Sequence, residues 1–296
     1  MTSTHGNHDI QRVGVVGGGL MGSGIAEVCA RAGLDVLVAE SGTDAAATAR
    51  IRVETSLLRA ADRHKLTAEE AEAALARLRL TTDLGDFADR DLVIEAVAER
   101  EEVKTSVFAT LDKVVRRPDA ILASNTSSIP LMRLGTATTR PAQVIGIHFF
   151  NPVPVLPLVE LVPSLLTGDE TEERARAFVS GALGKQVIRA TDRAGFVVNA
   201  LLIPYLLAAV RMLESGAATA ADIDNGMTLG CAHPMGPLAL ADLIGLDTVA
   251  AIATSLYEEY KEPLYAPPPL LLRMVEAGLL GRKTGRGFHT RPLKSA

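Results

Sequence analysis

Along the first two-thirds of the chain, short β-branched apolar runs alternate with longer Ala-, Leu- and Arg-rich stretches whose apolar residues recur at helical spacing. That alternation predicts repeated strand–helix–strand units and a mostly parallel sheet. The expected strands are 13–16, 35–39, 78–81, 92–94, 121–123, 144–148, 159–162 and 186–188. Between the second and third, residues 43–76 have apolar positions at helical spacing with a break near 63–67, which reads as a pair of helices. After Arg193 the strand signals stop, and helical segments punctuated by Gly or Pro are expected at 196–215, 220–229, 239–260 and 270–277. The fold class is therefore α/β: a mostly parallel sheet domain, 1–192, followed by a smaller all-helical domain, 193–296. The longest apolar stretch runs between Arg193 and Arg211, but Asn199 and Pro204 interrupt it, and it falls short of a membrane span, so it reads as a buried helix.

Composition narrows the function classes. The 296 residues are 48% hydrophobic and 22% charged, as in an ordinary globular chain. A net charge of −5, from 30 Lys and Arg against 35 Asp and Glu, gives no basic field for a nucleic-acid backbone, so no nucleic-acid or membrane partner is expected. Cys29 and Cys231 form neither a disulfide framework nor a metal-ligand spacing, and both read as packing residues. No metal is expected. The polar N-terminus, residues 1–12, has no apolar signal core, and a reducing cytoplasm fits best.

The first strand runs into Gly17-Gly18-Gly19-Leu20-Met21-Gly22, so Gly17, Gly19 and Gly22 satisfy G-x-G-x-x-G at the opening of an apolar helix. A tight turn, a close backbone approach to a pyrophosphate and a close helix–strand contact each exclude a side chain. Glu40 follows eighteen residues after Gly22, at the end of the second strand. A carboxylate there accepts hydrogen bonds from ribose hydroxyls and repels a 2′-phosphate, so a Rossmann-like domain binding NAD rather than NADP is expected.

Three further stretches are hard to explain as scaffold: Ala123-Ser124-Asn125-Thr126-Ser127-Ser128, His148-Phe149-Phe150-Asn151-Pro152-Val153-Pro154 and Gly195-Phe196-Val197-Val198-Asn199. With Asp222-Ile223-Asp224 and His233-Pro234-Met235-Gly236-Pro237, the chain resembles the L-3-hydroxyacyl-CoA dehydrogenase family from about Val13 to Phe288. The resemblance implies an NAD-dependent oxidation of a short 3-hydroxyacyl-CoA to the 3-ketoacyl-CoA, by a homodimer, with His148 and Glu160 as the catalytic pair. A neutral imidazole suits removal of an alcohol proton, and Glu160, twelve residues on, can return to hold the other ring nitrogen. By the same resemblance Ser127 and Asn199 hydrogen-bond substrate, while Glu99, Lys104 and Asn125 line the nicotinamide side of the cofactor. Asn151 is expected to brace the site from the turn after His148, and Lys65 to lie near the CoA phosphates.

Two residues depart from the pattern: Pro157 stands where many relatives carry lysine, and His289 where many carry an aromatic residue. Two alternatives stay open on the sequence alone. One is a dehydrogenase of a carrier-protein-bound hydroxyacyl group or a sugar acid. The other is a non-catalytic NAD-binding or structural relative.

Overall fold

In this computed structural model residues 9–290 are described; most of the polar N-terminal stretch read above lies outside them, as do residues 291–296. Short apolar runs become strands, because only a sheet pairs their backbone groups over so few residues, and those in the middle of the sheet are buried on both faces. They are β1 (Arg12–Val16), β2 (Asp35–Ala39), β3 (Leu78–Thr81), β4 (Leu92–Glu95), β5 (Ile121–Ser124), β6 (Val144–Phe149), β7 (Leu158–Pro163) and β8 (Gln186–Arg189). Among the described residues they form one sheet in the order β3-β2-β1-β4-β5-β6-β7-β8. Every pairing is parallel except β6 with β7, which a short turn joins antiparallel. Helices α1 (Leu20–Arg31), α2 (Thr43–Asp62), α3 (Ala68–Ala76), α4 (Glu101–Val114), α5 (Leu131–Thr136) and α6 (Asp169–Ala177) supply the crossovers. The break between α2 and α3 is fixed by a capping box, in which the Thr67 hydroxyl accepts from Glu70 N–H and the Glu70 carboxylate from Thr67 N–H.

The chain divides into two compact units, Met1–Asp192 and Arg193–Ala296. The first buries Val13, Val15, Ile25, Val36, Ile94 and Ile147 around the sheet. The second is helical: α7 (Val198–Glu214), α8 (Ala220–Gly230), α9 (Pro237–Ile244), α10 (Leu246–Tyr260) and α11 (Pro269–Glu276). Its core gathers Ile203, Leu206, Val210, Leu246, Val249 and Leu256.

Two expectations for this unit need correction. The stretch 239–260 is not one helix: Gly245, at φ +104°, ends α9, and α10 leaves at a bend of 97°. The helix in the longest apolar stretch is not buried all round, since Leu201 is 73% and Met212 49% exposed on α7. No single helix among the described residues is long and apolar enough to cross a membrane. Asp224 and Asp242 tie the unit together, Asp224 accepting from the N–H groups of Leu238 and Ala239 and Asp242 from those of Phe288 and His289.

Candidate active site

From β1 the chain goes outward to β2 and β3, then returns to β4 on the other side of β1. The turn after β1 therefore lies at a reversal of strand order, where open α/β sheets bind ligands beyond their carboxyl ends. Gly17 adopts φ +92°, and a Cβ there would stand 2.9 Å from the Ala96 carbonyl oxygen. A Cβ on Gly22 would stand 1.7 Å from the Gly17 carbonyl oxygen, so α1 can start against the turn only with glycine there. A Cβ on Gly19 would meet nothing within 4 Å, so that position opens outward.

The first turn of α1, with Leu20 and Met21, has neither an acidic side chain nor a side-chain cap. Its N–H groups and the positive end of the helix suit an anion. Glu40 closes the turn from the end of β2, its Oε1 accepting from Gly18 N–H at 2.6 Å. The residues present thus fit a dinucleotide: a cradle for the pyrophosphate and a carboxylate beside it.

His148 and Glu160 are brought together by register. On the antiparallel β6–β7 ladder they are directly opposite, so their side chains leave the same face. The Glu160 carboxylate lies 2.7 Å from His148 Nδ1, with Glu160 fully buried and His148 nearly so. A carboxylate only accepts, so Nδ1 carries the proton and Nε2 is the basic nitrogen. The Phe150 ring meets the imidazole edge-on at 4.6 Å. Asn125, just past β5, accepts from Phe149 N–H at 2.8 Å through Oδ1, tying the end of β5 to the strand that holds His148.

Glu99 organises the loop after β5. Its Oε1 accepts from Thr126 Oγ1 (2.5 Å), Ser127 N–H (2.8 Å) and Ser128 N–H (3.2 Å), and also meets the Ser127 and Ser128 hydroxyls. Its Oε2 lies 3.2 Å from Lys104 Nζ. Crowding by protein works to raise the Glu99 pKa. Lys104 and the Thr126 and Ser127 hydrogen bonds outweigh it and hold the carboxyl below its usual value, while the side chain keeps 38% exposure. Lys104 does not sit on a charged outer face: it is 1% exposed, and Nζ is met by Glu95 Oε1 at 2.7 Å, the Val97 carbonyl and Glu99. Three acceptors use its three donors, so Lys104 fixes Glu99 rather than reaching outward.

Other expected site residues stand apart from this cluster. Asn151 is exposed, and its side chain makes no hydrogen bond among the described residues. The turn after His148 is held by Lys185, whose buried Nζ donates to the carbonyls of Val153 (2.8 Å) and Leu156 (2.7 Å). Burial pulls the Lys185 pKa down, and Arg31 adds to the effect. Lys65 is exposed in the turn between α2 and α3, and Pro157 is exposed before β7. Asn199 belongs to the helical unit, buried in the first turn of α7. There the departing His289 finds a polar partner, its Nε2 lying 2.7 Å from Asp224 Oδ2. Cys29 is buried and its thiol is pushed up to about 12 by that burial, as a packing residue would be, whereas Cys231 is exposed and does not pack. Among the described residues no group of three His, Cys, Asp or Glu is placed to hold a metal ion.

Residues 12–193 match the family described as 3-hydroxyacyl-CoA dehydrogenase, NAD binding domain, and residues 195–291 match its C-terminal domain. The chain belongs to the 3-hydroxyacyl-CoA dehydrogenase family. It is 60% identical over 281 residues to a 3-hydroxybutyryl-CoA dehydrogenase of Mycobacterium tuberculosis, covering 95% of this chain and 98% of that protein. The fold superposes on a crystal structure of FadB2 from M. tuberculosis with a TM-score of 0.95 at 59% identity, covering 96% and 99% of the two chains. An (S)-3-hydroxybutyryl-CoA dehydrogenase from Ralstonia eutropha gives a TM-score of 0.90 at 44% identity, covering 96% of this chain and 100% of that one. As a member of the 3-hydroxyacyl-CoA dehydrogenase family, the protein is an NAD-dependent oxidoreductase.

Reading the sequence of this dehydrogenase alone misses Glu95, which ends β4 fully buried and holds Val97 N–H, Lys104 Nζ and Ser124 Oγ together. The signal was an acid closing an otherwise apolar strand, Leu92-Val93-Ile94-Glu95, where burial demands a partner.

Proposed function

We propose that the enzyme reversibly oxidises (S)-3-hydroxybutyryl-CoA to acetoacetyl-CoA, or a comparably short 3-hydroxyacyl-CoA to the corresponding 3-ketoacyl-CoA. The substrate assignment draws on the names of the similar proteins from M. tuberculosis and R. eutropha. The observation that carries the chemistry is the buried His148–Glu160 pair at 2.7 Å. His148 takes the alcohol proton at Nε2, and Glu160, fixed across the ladder, orients the ring and stabilises the imidazolium that forms. NAD, held by Gly17, Gly19, Gly22 and Glu40 with the first turn of α1 at Leu20 and Met21, supplies the acceptor for the hydride leaving the alcohol carbon. In the reverse direction the imidazolium returns its proton to the ketone oxygen.

Ser127, aligned by the Glu99 carboxylate, and Asn199 hold the reacting oxygen and the thioester carbonyl. Glu99 and Asn125 face the nicotinamide end, Lys104 acts through Glu99, and Lys65 is an exposed cation for the CoA phosphates. Residues 1–192 form the NAD-binding domain, and 193–296 the substrate and dimerisation domain of a cytoplasmic homodimer in short-chain acyl and butyrate metabolism. Neither nucleic acid nor membrane is a partner.

The test is turnover of acetoacetyl-CoA with NADH, beside acetoacetyl groups on a carrier protein and sugar-acid substrates. Higher kcat/KM for the CoA thioester supports the assignment. Faster turnover of either comparator replaces it, and no turnover of any would make the chain a binding relative.

A further inference from the structure

Arg52 lies outside every motif considered above. It sits on α2 three residues after Ala49, on the same side of the helix. Ala49 is buried against the phosphate turn so closely that a Cβ on Gly18 would stand 2.4 Å from the Ala49 Cβ. From that position Arg52 Nη1 donates to the Gly18 carbonyl at 3.1 Å, beside Ser23 Oγ, which donates to the same oxygen at 2.7 Å. The N–H of Gly18 goes the other way, to Glu40 Oε1 at 2.6 Å. A carboxylate and a guanidinium are thus anchored at the two polar ends of a single residue in the turn. They form no ion pair with each other, and no carboxylate pairs with Arg52 among the described residues.

A neutral carbonyl orients a guanidinium without cancelling its charge, and the hydrogen bond uses one of five donors. An arginine near the end of β2 is the group that accommodates a 2′-phosphate in dinucleotide sites, as an acid there rejects it. We propose that Arg52 is a second determinant of cofactor selectivity, exerting an attraction for a 2′-phosphate that the Glu40 charge overrides. This rests on the reading of Gly17–Gly22 and Glu40 as the adenosine end of the NAD site. The NAD preference is then a balance between two opposed charges, and removing the negative one exposes the positive.

The test measures binding of ADP and of 2′,5′-ADP by calorimetry to the full chain as wild type, Glu40→Gln, Arg52→Gln, Arg52→Lys and the Glu40→Gln/Arg52→Gln double variant. The readout is the affinity for 2′,5′-ADP divided by that for ADP. Making or breaking one charge-assisted hydrogen bond predicts a ratio about tenfold higher in Glu40→Gln, about fivefold lower in Arg52→Gln, and close to wild type in the double variant. Arg52→Lys, which keeps the charge, should retain most of the wild-type ratio. The rise in Glu40→Gln should shrink with added salt, since an exposed cation is screened. Equal weakening of both nucleotides in Arg52→Gln, or a double variant that keeps the whole Glu40→Gln rise, would overturn the proposal and leave Arg52 a brace for the turn. A Glu40→Gln protein with an unchanged ratio would instead contradict the reading of Glu40, while a lowered ratio in Arg52→Gln would still uphold Arg52. Absence of ADP binding to the wild type would overturn both.

Discussion

At the scale of single residues, the chemistry of His148 is set by what stands opposite it on the neighbouring strand. Glu160→Gln keeps a hydrogen-bond partner for the ring but removes the charge that supports the imidazolium. It should lower kcat by no more than the ~10²–10⁴-fold expected for loss of the base itself, and steady-state kinetics with an NADH titration would show the loss in kcat rather than in cofactor affinity. Burial likewise separates the two cysteines. With the Cys29 thiol pushed up to about 12 and Cys231 exposed, a thiol reagent at mildly alkaline pH should modify one cysteine in the native chain and two after denaturation. Two equally fast native reactions would show that α1 does not enclose Cys29.

At the scale of elements, β4, α4 and the loop after β5 are joined by one buried ammonium. Lys104→Met leaves Glu95 charged, fully buried and without its cation, and breaking such a pair costs about 3–5 kcal/mol. Urea unfolding should show that loss, and adding Glu95→Gln should recover part of it. A single variant within about 0.5 kcal/mol of wild type, the usual range for a surface substitution, would place the pair in solvent. The strands were legible in the sequence because period and length separate them from helices, and Glu160 was legible as the partner of His148 because a short turn returns the chain beside β6. Gly245 was not, since a glycine inside an apolar helical pattern does not announce a positive φ. Glu95 escaped, and with it the anchoring of Lys104, because their pairing exists only once β4 and α4 pack.

At the scale of the whole molecule, the helical unit leaves apolar side chains in solvent: Leu201 and Met212 on α7, and Leu229, 85% exposed, on α8. A homodimer centred on residues 193–296 would cover such side chains. Light scattering at micromolar concentration should give twice the 31.2 kDa chain mass. Leu201→Glu should shift the mass toward the monomer if α7 lies in the interface. A monomeric wild type would reject the assembly without touching the assignment of His148.

The most direct test of the central claim is kcat for acetoacetyl-CoA reduction in His148→Gln beside the wild type, with NADH affinity measured on the same samples. The account predicts a kcat lower by ~10²–10⁴-fold, because the positioned acid–base group is gone. NADH affinity should stay near wild type, because the turn proposed to hold the pyrophosphate, with Gly17, Gly19 and Gly22, is unchanged. A His148→Gln enzyme with near wild-type kcat would contradict the account and make His148 a core histidine that Glu160 merely satisfies.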